Sequence, residues 1–349
     1  MAQTATWMPL EYRKENGRLV WVRSPFTGTI TYFTDIHKKQ SGFPRRPLVP
    51  AAQAPDWEAA EAARLAELEA ARRDCPFCPG NEDQTTAELL RVVPAAVEGA
   101  ATTASPWLIR AFTNLIPRIP ETCTGGRNES YVVVEDPRHF ADGARHHDEL
   151  LYTALLPPAQ FRAVLHADIA VARIAYSNPA VQAVLIRKNQ GRESGASQPH
   201  LHNQVIGADQ PFPPVLQERR RLAEEPGLWR EIVAFARRER FLITERDGCC
   251  LYFCPFGVFP RSYEVVCPET DGQMTELPTS LIDTFAALLH EALGLLGPLP
   301  LDYEIHDGPG VPLHAHVCAR YYPYSNIGGT LNLPSDLIPT VPRPPARDR

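Results

Sequence analysis

The sequence predicts an α+β protein built from two related units, and three observations carry that prediction. Proline accounts for 35 of the 349 residues, which disfavours long uninterrupted helices and favours a loop-rich fold. Hydrophobic residues make up 44%, enough to fill cores and too many for global disorder. The order of elements also repeats. Tyr131-Val132-Val133-Val134-Glu135-Asp136-Pro137 has a parallel in Tyr263-Glu264-Val265-Val266-Cys267-Pro268, and Pro199-His200-Leu201-His202 in Leu313-His314-Ala315-His316. The expected division is 1–215, 216–333 and a proline-rich tail over 334–349.

In the first unit, Leu19–Arg23 and Thr29–Phe33 read as strands around the turn Ser24-Pro25-Phe26-Thr27-Gly28. A basic loop with Lys38, Lys39, Arg45 and Arg46 follows. Asp56 to Asp74 is a surface helix, with Asp56 at its N-cap and Arg72-Arg73 in its last turn. Tyr131–Glu135 is a strand, a helix opens at Pro157-Pro158 and runs to Tyr176, and Val181–Arg187 is a strand. In the second unit, Leu251–Phe253 and Tyr263–Cys267 are strands. A helix capped by Ser280 and stopped by Gly297-Pro298 precedes strands at Tyr303–His306 and His314–Ala319.

Charge and cysteine usage exclude several classes. Lys+Arg 35 against Asp+Glu 41 argues against a nucleic-acid or anionic-membrane binder. No apolar run reaches the roughly 18 residues that a membrane helix needs, and Met1–Gly17 lacks a secretory apolar stretch. Eight cysteines in a chain this long are no disulfide scaffold; their clustering suggests reduced thiols or a metal in a cytoplasmic protein.

Two motifs carry chemistry. On a strand, His200, His202 and Gln204 face one side, which a hydrophobic core excludes; the alternative is a solvent-facing polar strand. Gly191, Ser194, Gly195 and Ser197 form a small-residue loop upstream, where backbone N–H groups can approach a phosphate. Imidazole is a competent nucleophile toward phosphorus. Cys75-Pro76-Phe77-Cys78 supplies half of a zinc site, the alternatives being a redox pair or coincidence. His139, His146, His147 and His200 compete for the remaining positions, and spacing alone does not choose among them.

Further motifs join these: Ser24-Pro25, Thr27-Gly28, Arg46-Pro47, Pro79-Gly80-Asn81, Arg110, Asn114, Pro117, Asp136-Pro137-Arg138-His139 and Asn189. Together they span roughly residues 18 to 320, and the chain resembles the galactose-1-phosphate uridylyltransferase family, the nucleotidylyltransferase branch of the histidine-triad superfamily. The resemblance implies two tandem histidine-triad-like units, with antiparallel sheets and flanking helices. It implies a structural zinc on Cys75, Cys78, His139 and His200, His202 as the nucleophile that carries the nucleotidyl group, and Gln204 as the partner of the phosphoryl oxygen. Arg46, Asn189 and Ser197 match phosphate-contacting positions, and Asn114 a nucleoside-contacting one. Some members hold a second metal, zinc or iron; Glu218, fourteen residues after Gln204, with His306, His314 and His316, matches its ligands. Cys249, Cys250 and Cys254 match no metal position and read as ordinary buried cysteines.

The implied activity is ping-pong transfer of a nucleoside monophosphate from a nucleotide or nucleotide-sugar donor to a phosphate acceptor, in a cytoplasmic homodimer. Departures bear on the acceptor. Leu115 stands where uridylyltransferases often have Asp, and Gly328-Gly329-Thr330-Leu331-Asn332 replaces the carboxylate-bearing segment that reads a hexose. The acceptor therefore need not be a hexose phosphate. One alternative is a phosphorylase of nucleoside diphosphate sugars or dinucleoside polyphosphates. Another is a non-catalytic, zinc-stabilised nucleotide-binding protein, which would not require a nucleophile.

Overall fold

The computed structural model describes residues 10–34, 57–146, 149–257, 259, 261–320 and 331–334. Arg46, His147, the segment 321–330 and the tail after Pro334 lie outside them. In chain order the elements are β1 (Tyr12–Glu15), β2 (Arg18–Arg23), β3 (Ile30–Thr34), α1 (Trp57–Asp74), β4 (Glu88–Val92), β5 (Ile109–Thr113), β6 (Ser130–Val134) and α2 (Pro158–Tyr176). Then follow β7 (Ala183–Gln190), β8 (His202–Ala208), α3 (Pro213–Glu224), α4 (Leu228–Arg238), β9 (Leu242–Arg246), β10 (Cys249–Phe253) and β11 (Ser262–Val266). The last are α5 (Thr279–Leu296), β12 (Leu301–His306), β13 (His314–Ala319) and β14 (Leu331–Pro334). The protein is α+β, as its sequence predicts.

One compact unit comprises residues 40–210 and 293–300. Its strands run β4-β5-β6-β8-β7, each pair antiparallel. Pro158 opens α2 at a position whose missing N–H needs no partner. The helix then buries Phe161, Val164, Leu165, Ile169 and Val171. β6 is buried along its whole length.

The other unit comprises residues 1–39, 211–292 and 301–349. Its strands run β12-β13-β11-β10-β9, again antiparallel. Two hairpins close on two-residue turns whose residues both take positive φ, Asn16-Gly17 (49° and 77°) and Asp247-Gly248 (45° and 80°). Asx-Gly is the pair that tolerates this conformation, which matches the twist of the flanking strands.

The expected cut at 215 differs from these units at the N-terminus. Residues before Lys39 belong with the second-half unit: Phe26 packs on Trp229 and Tyr12 on Phe235, and Arg221 Nε donates to Pro25 O at 3.0 Å. These contacts come from α3 and α4, which the sequence reading did not place.

Two further expectations are corrected. Cys249 and Cys267 form a disulfide rather than reduced thiols, because the β10–β11 register that pairs Cys250 with Val266 sets them opposite, 4.2 Å apart at Cα. Among the described residues one helix, α5, is long and apolar enough to cross a membrane. Its Phe285, Leu288, Leu289 and Leu293 are fully buried, so here it serves as a core helix.

Candidate active site and metal clusters

Cys75 and Cys78 lie on the turn that follows α1, closed by Cys78 N donating to Cys75 O. Asn81 Nδ2 donates to Cys75 O at 2.8 Å and to the carbonyls of Arg72 and Arg73, tying this turn to the end of the helix. His139 and His200 reach the two sulfurs. Cys78 Sγ is 3.4 Å from Nδ1 of each imidazole, and Cys75 Sγ is 3.6 Å from His200 Nδ1. A zinc ion with Zn–S of about 2.3 Å and Zn–N of about 2.0 Å has tetrahedral edges of about 3.5 Å. The four buried donors fit that ion in distance and in chemistry. Hydrogen bonding from Cys78, then His139 and His200, draws the Cys75 thiol down toward thiolate, while Cys75 beside it drives Cys78 up. A dication removes that conflict and lets both ionise.

His146 is not part of the cluster. His200 also falls outside the strand: β8 begins at His202, and His200 lies in the bend before it. Its Nε2 donates to Asp136 O at 2.8 Å, leaving Nδ1 for the sulfurs. Asp136 is itself held by Gln160 Nε2 (2.7 Å) and by the Arg138 guanidinium. Such outer hydrogen bonds orient metal ligands.

His202 is the first residue of β8, buried, with Phe77 edge-on to its ring at 5.3 Å. Its Nδ1 lies 2.7 Å from His200 O. A carbonyl only accepts, so Nδ1 carries the proton and the Nε2 lone pair is available. Burial, then the backbone bond acting against it and the Lys188 ammonium reinforcing it, leave the imidazole pKa lowered to about 4. At neutral pH the ring is an uncharged base. Gln204 shares its face two residues on, buried and opposite Arg187 of β7.

The opposite face of β8 carries a network that the sequence reading missed. Lys188, fully buried on β7, forms an ion pair with Glu135 and donates to His202 O at 3.3 Å. Thr153 Oγ1 donates to the other Glu135 oxygen at 3.0 Å. Asn203 Nδ2 donates to Asp168 of α2 at 2.7 Å, and burial raises that carboxyl well above its ordinary value. Lys188 stands among Arg187, Asn189 and Gln190 at the polar end of β7, so no local pattern marked it as buried.

The positions matched to substrate contacts differ among themselves. Asn189 sits beyond Arg187 on β7, and its Nδ2 donates to Ser194 O at 2.6 Å. The loop after it turns at Gly191 (φ 85°) and Gly195 (φ 87°), and the N–H groups of Ser194, Gly195 and Ala196 donate to its own carbonyls. Those three N–H groups are therefore already engaged within the loop whose backbone was expected to approach a phosphate. Ser197 is exposed. Asn114 Oδ1 accepts from Ile116 N at 3.1 Å, which shapes its own turn.

Glu218 on α3, His306 ending β12, and His314 and His316 on β13 form a second cluster. Glu218 oxygens lie 3.0 and 3.1 Å from His306 Nδ1, 3.1 Å from His316 Nε2 and 3.3 Å from His314 Nε2. Neighbouring donors on an ion with bonds of about 2.1 Å lie about 3.0–3.4 Å apart. His314 Nε2 is buried without a hydrogen-bond partner among the described residues, as a nitrogen aimed at a cation would be. Nδ1 of His314 donates to Pro312 O at 2.7 Å, and Nδ1 of His316 to Glu264 Oε1 at 2.6 Å. Glu264 is a further residue that the sequence reading missed; it gives the carboxylate–histidine pairing that orients metal-binding imidazoles. Burial alone would raise Glu218, but His314 and His306 hold it well below the usual carboxylate range.

The family described as a domain of unknown function, DUF4921, matches residues 121–299, just over half of the chain. This chain belongs to the DUF4921 family. In this DUF4921 member the matched stretch holds His139, Lys188, His200, His202, Gln204 and Glu218. No curated protein matches the chain in sequence. Solved structures share its fold. An ADP-glucose phosphorylase from Arabidopsis thaliana, with bound ADP-glucose, is 19% identical with a TM-score of 0.61, covering 95% of this chain and 97% of that one. A galT-like protein from Arabidopsis thaliana is 21% identical with a TM-score of 0.57, over 76% and 90% of the two chains. A uridylyltransferase mutant is 22% identical with a TM-score of 0.55, over 74% and 84%.

Proposed function

We propose that the protein is a nucleotidyl-transferring enzyme that works by double displacement through His202. One observation carries this reading: the buried, uncharged His202 ring donates a hydrogen bond from Nδ1 to His200 O and keeps the Nε2 lone pair, with Gln204 next along the same face. Likeness of fold to proteins named for ADP-glucose phosphorolysis and uridylyl transfer supports it.

In the first half-reaction, Nε2 attacks the α-phosphorus of a nucleotide or nucleotide-sugar donor. A P–N bond forms, the P–O bond to the leaving phosphate breaks, and the electron pair leaves on that oxygen. An acceptor phosphate oxygen then attacks the same phosphorus, and the P–N electron pair returns to Nε2. Gln204 donates to the phosphoryl oxygen as charge develops. Gln204 cannot act as a general acid, which favours transfer to phosphate over hydrolysis. Cys75, Cys78, His139 and His200 would hold a zinc ion whose contribution would be structural, since His200 stands two positions before the nucleophile.

The acceptor is either inorganic phosphate or an organic phosphate. The wide coverage of the ADP-glucose phosphorylase structure favours inorganic phosphate. Incubation with labelled ADP-glucose or UDP-glucose and no acceptor should trap an acid-labile, base-stable adduct on His202. Adding inorganic phosphate should discharge it as nucleoside diphosphate. His202→Gly should abolish the adduct with its zinc content intact. Turnover without any adduct would overturn double displacement.

A further inference from the structure

Glu135 and Lys188 lie on the opposite face of the first-half sheet from Gln204, and the double displacement gives them no role. Their contacts nevertheless converge on residues 200–202. Asp136 O accepts from His200 Nε2 at 2.8 Å, and Glu135 N donates to Leu201 O at 3.2 Å. Hydrogen-bonding direction alternates along an antiparallel strand, so with Leu201 C=O turned to β6, the His202 C=O turns toward β7. The β7–β8 ladder ends at Arg187 opposite Gln204, and Lys188 Nζ donates to His202 O at 3.3 Å. The ammonium is fixed in turn by its ion pair with Glu135, both side chains being fully buried. Thr153 Oγ1 donates to the other carboxylate oxygen at 3.0 Å, and Gln160 Nε2 to Glu135 O at 3.0 Å. Two consecutive residues, Glu135 and Asp136, thus hold each residue from His200 to His202, the last of them through Lys188.

The second half shows that the scaffold does not need this pair. Cys267 N donates to Leu313 O as Glu135 N does to Leu201 O, and Glu304 faces His316 as Arg187 faces Gln204. Cys267 and Ile305 therefore stand where the first half has Glu135 and Lys188, and both are buried. His314 keeps the same Nδ1–H bond to a carbonyl there, without a charge behind its strand. A buried ion pair gives little net stability over apolar residues of similar volume. The charged pair is found behind the imidazole read as a nucleophile and not behind the one read as a metal ligand.

We propose that Lys188, held by Glu135, is a positioning residue for His202: it fixes the main chain of the nucleophile so that Nε2 meets the donor phosphorus in line. The inference rests on the reading of His202 as that nucleophile.

Single-turnover adduct formation by the full-length, zinc-replete protein, with labelled ADP-glucose and UDP-glucose, tests it. Lys188→Met/Glu135→Gln removes the ion pair without leaving an unpaired charge. Its maximal rate of adduct formation should fall about 10- to 100-fold, as misplacement by about 1 Å would cost, while the half-saturating donor concentration stays within about twofold. Lys188→Ile/Glu135→Cys, which installs the second-half residues, should behave alike. Val171→Ala, which trims the buried core of α2, should keep the wild-type rate. A wild-type maximal rate in either folded double variant, a loss confined to half-saturation, or equal slowing in Val171→Ala overturns the positioning role. Failure of both double variants to fold also overturns it, because the pair would then be a requirement of the fold. Absence of any adduct in the wild-type protein instead overturns the His202 reading beneath it.

Discussion

His202 and His314 occupy equivalent positions in the two halves of the chain. His202 pairs with Val134 and His314 with Val266, while Glu135 N donates to Leu201 O as Cys267 N does to Leu313 O. Each imidazole donates Nδ1–H to the carbonyl two residues upstream, at 2.7 Å in both cases, His200 O for one and Pro312 O for the other. By the same register Gln204 corresponds to His316, Val132 to Glu264, and His200 to Pro312. One scaffold thus presents an imidazole Nε2 twice. In the first half that nitrogen has Gln204 beside it; in the second it faces Glu218 and two further imidazoles.

Metal content should separate the two clusters. The purified protein is expected to carry at least one zinc per chain, lost in Cys75→Ser. Structural zinc supplies folding free energy directly. Each kcal/mol lost moves the melting midpoint of a domain this size by about 2–4 °C, so Tm should fall by about 10 °C or more. His314→Ala should keep that zinc. An unchanged Tm in Cys75→Ser, at full zinc occupancy, rejects the assignment.

Lys188→Met should be strongly destabilising, because it leaves the Glu135 carboxylate buried and unpaired. Breaking a buried pair costs about 3–5 kcal/mol. Urea denaturation of the double variant Lys188→Met/Glu135→Gln should recover much of the loss. Additive losses would mean that the two side chains act independently.

The rate of adduct formation should follow the His202 base. With its pKa at about 4, the ring is neutral from about pH 5 upward, so the rate should be flat there and fall about tenfold per unit below pH 4. Stability follows the same linkage: the unfolded imidazole takes up a proton near its ordinary value of about 6.5, so stability declines from there as pH falls toward 4. A rate loss centred near 6.5 would contradict the buried, uncharged ring.

Asp168 should act in the opposite direction. Its folded pKa is raised by burial, so the folded state holds a proton that the unfolded chain releases. That stabilisation is complete below the unfolded value of about 3.9 and is lost as pH rises through the folded value. Asp168→Asn, which keeps an oxygen for Asn203 Nδ2, should remove the alkaline loss. Denaturation midpoints across pH should diverge in the variant's favour at the alkaline end; a parallel pair of curves counts against a raised Asp168.

Local chemistry was legible in the chain itself. Alternation along a strand puts His202 with Gln204 and His314 with His316, and Cys75 and Cys78 need only a tight turn to converge. The α+β class follows from proline content and from the repeated strand–helix order. Long-range register was not legible. The two H-x-H motifs look equivalent as strings, yet the hydrogen-bond ladders align Leu201 with Leu313, so the zinc-cluster His200 matches Pro312 and the nucleophile candidate matches His314. No local pattern encodes that offset. The Lys188–Glu135 pair bridges 53 positions and the Glu218–His306 contact 88, so only the assembled strands of each unit and the helices packed on them bring these residues together. The N-terminal hairpin packs on α3 and α4 because the apolar faces of Phe26, Trp229 and Phe235 find burial there. Side-chain type and spacing set which groups can react or bind, while tertiary register decides which of them meet.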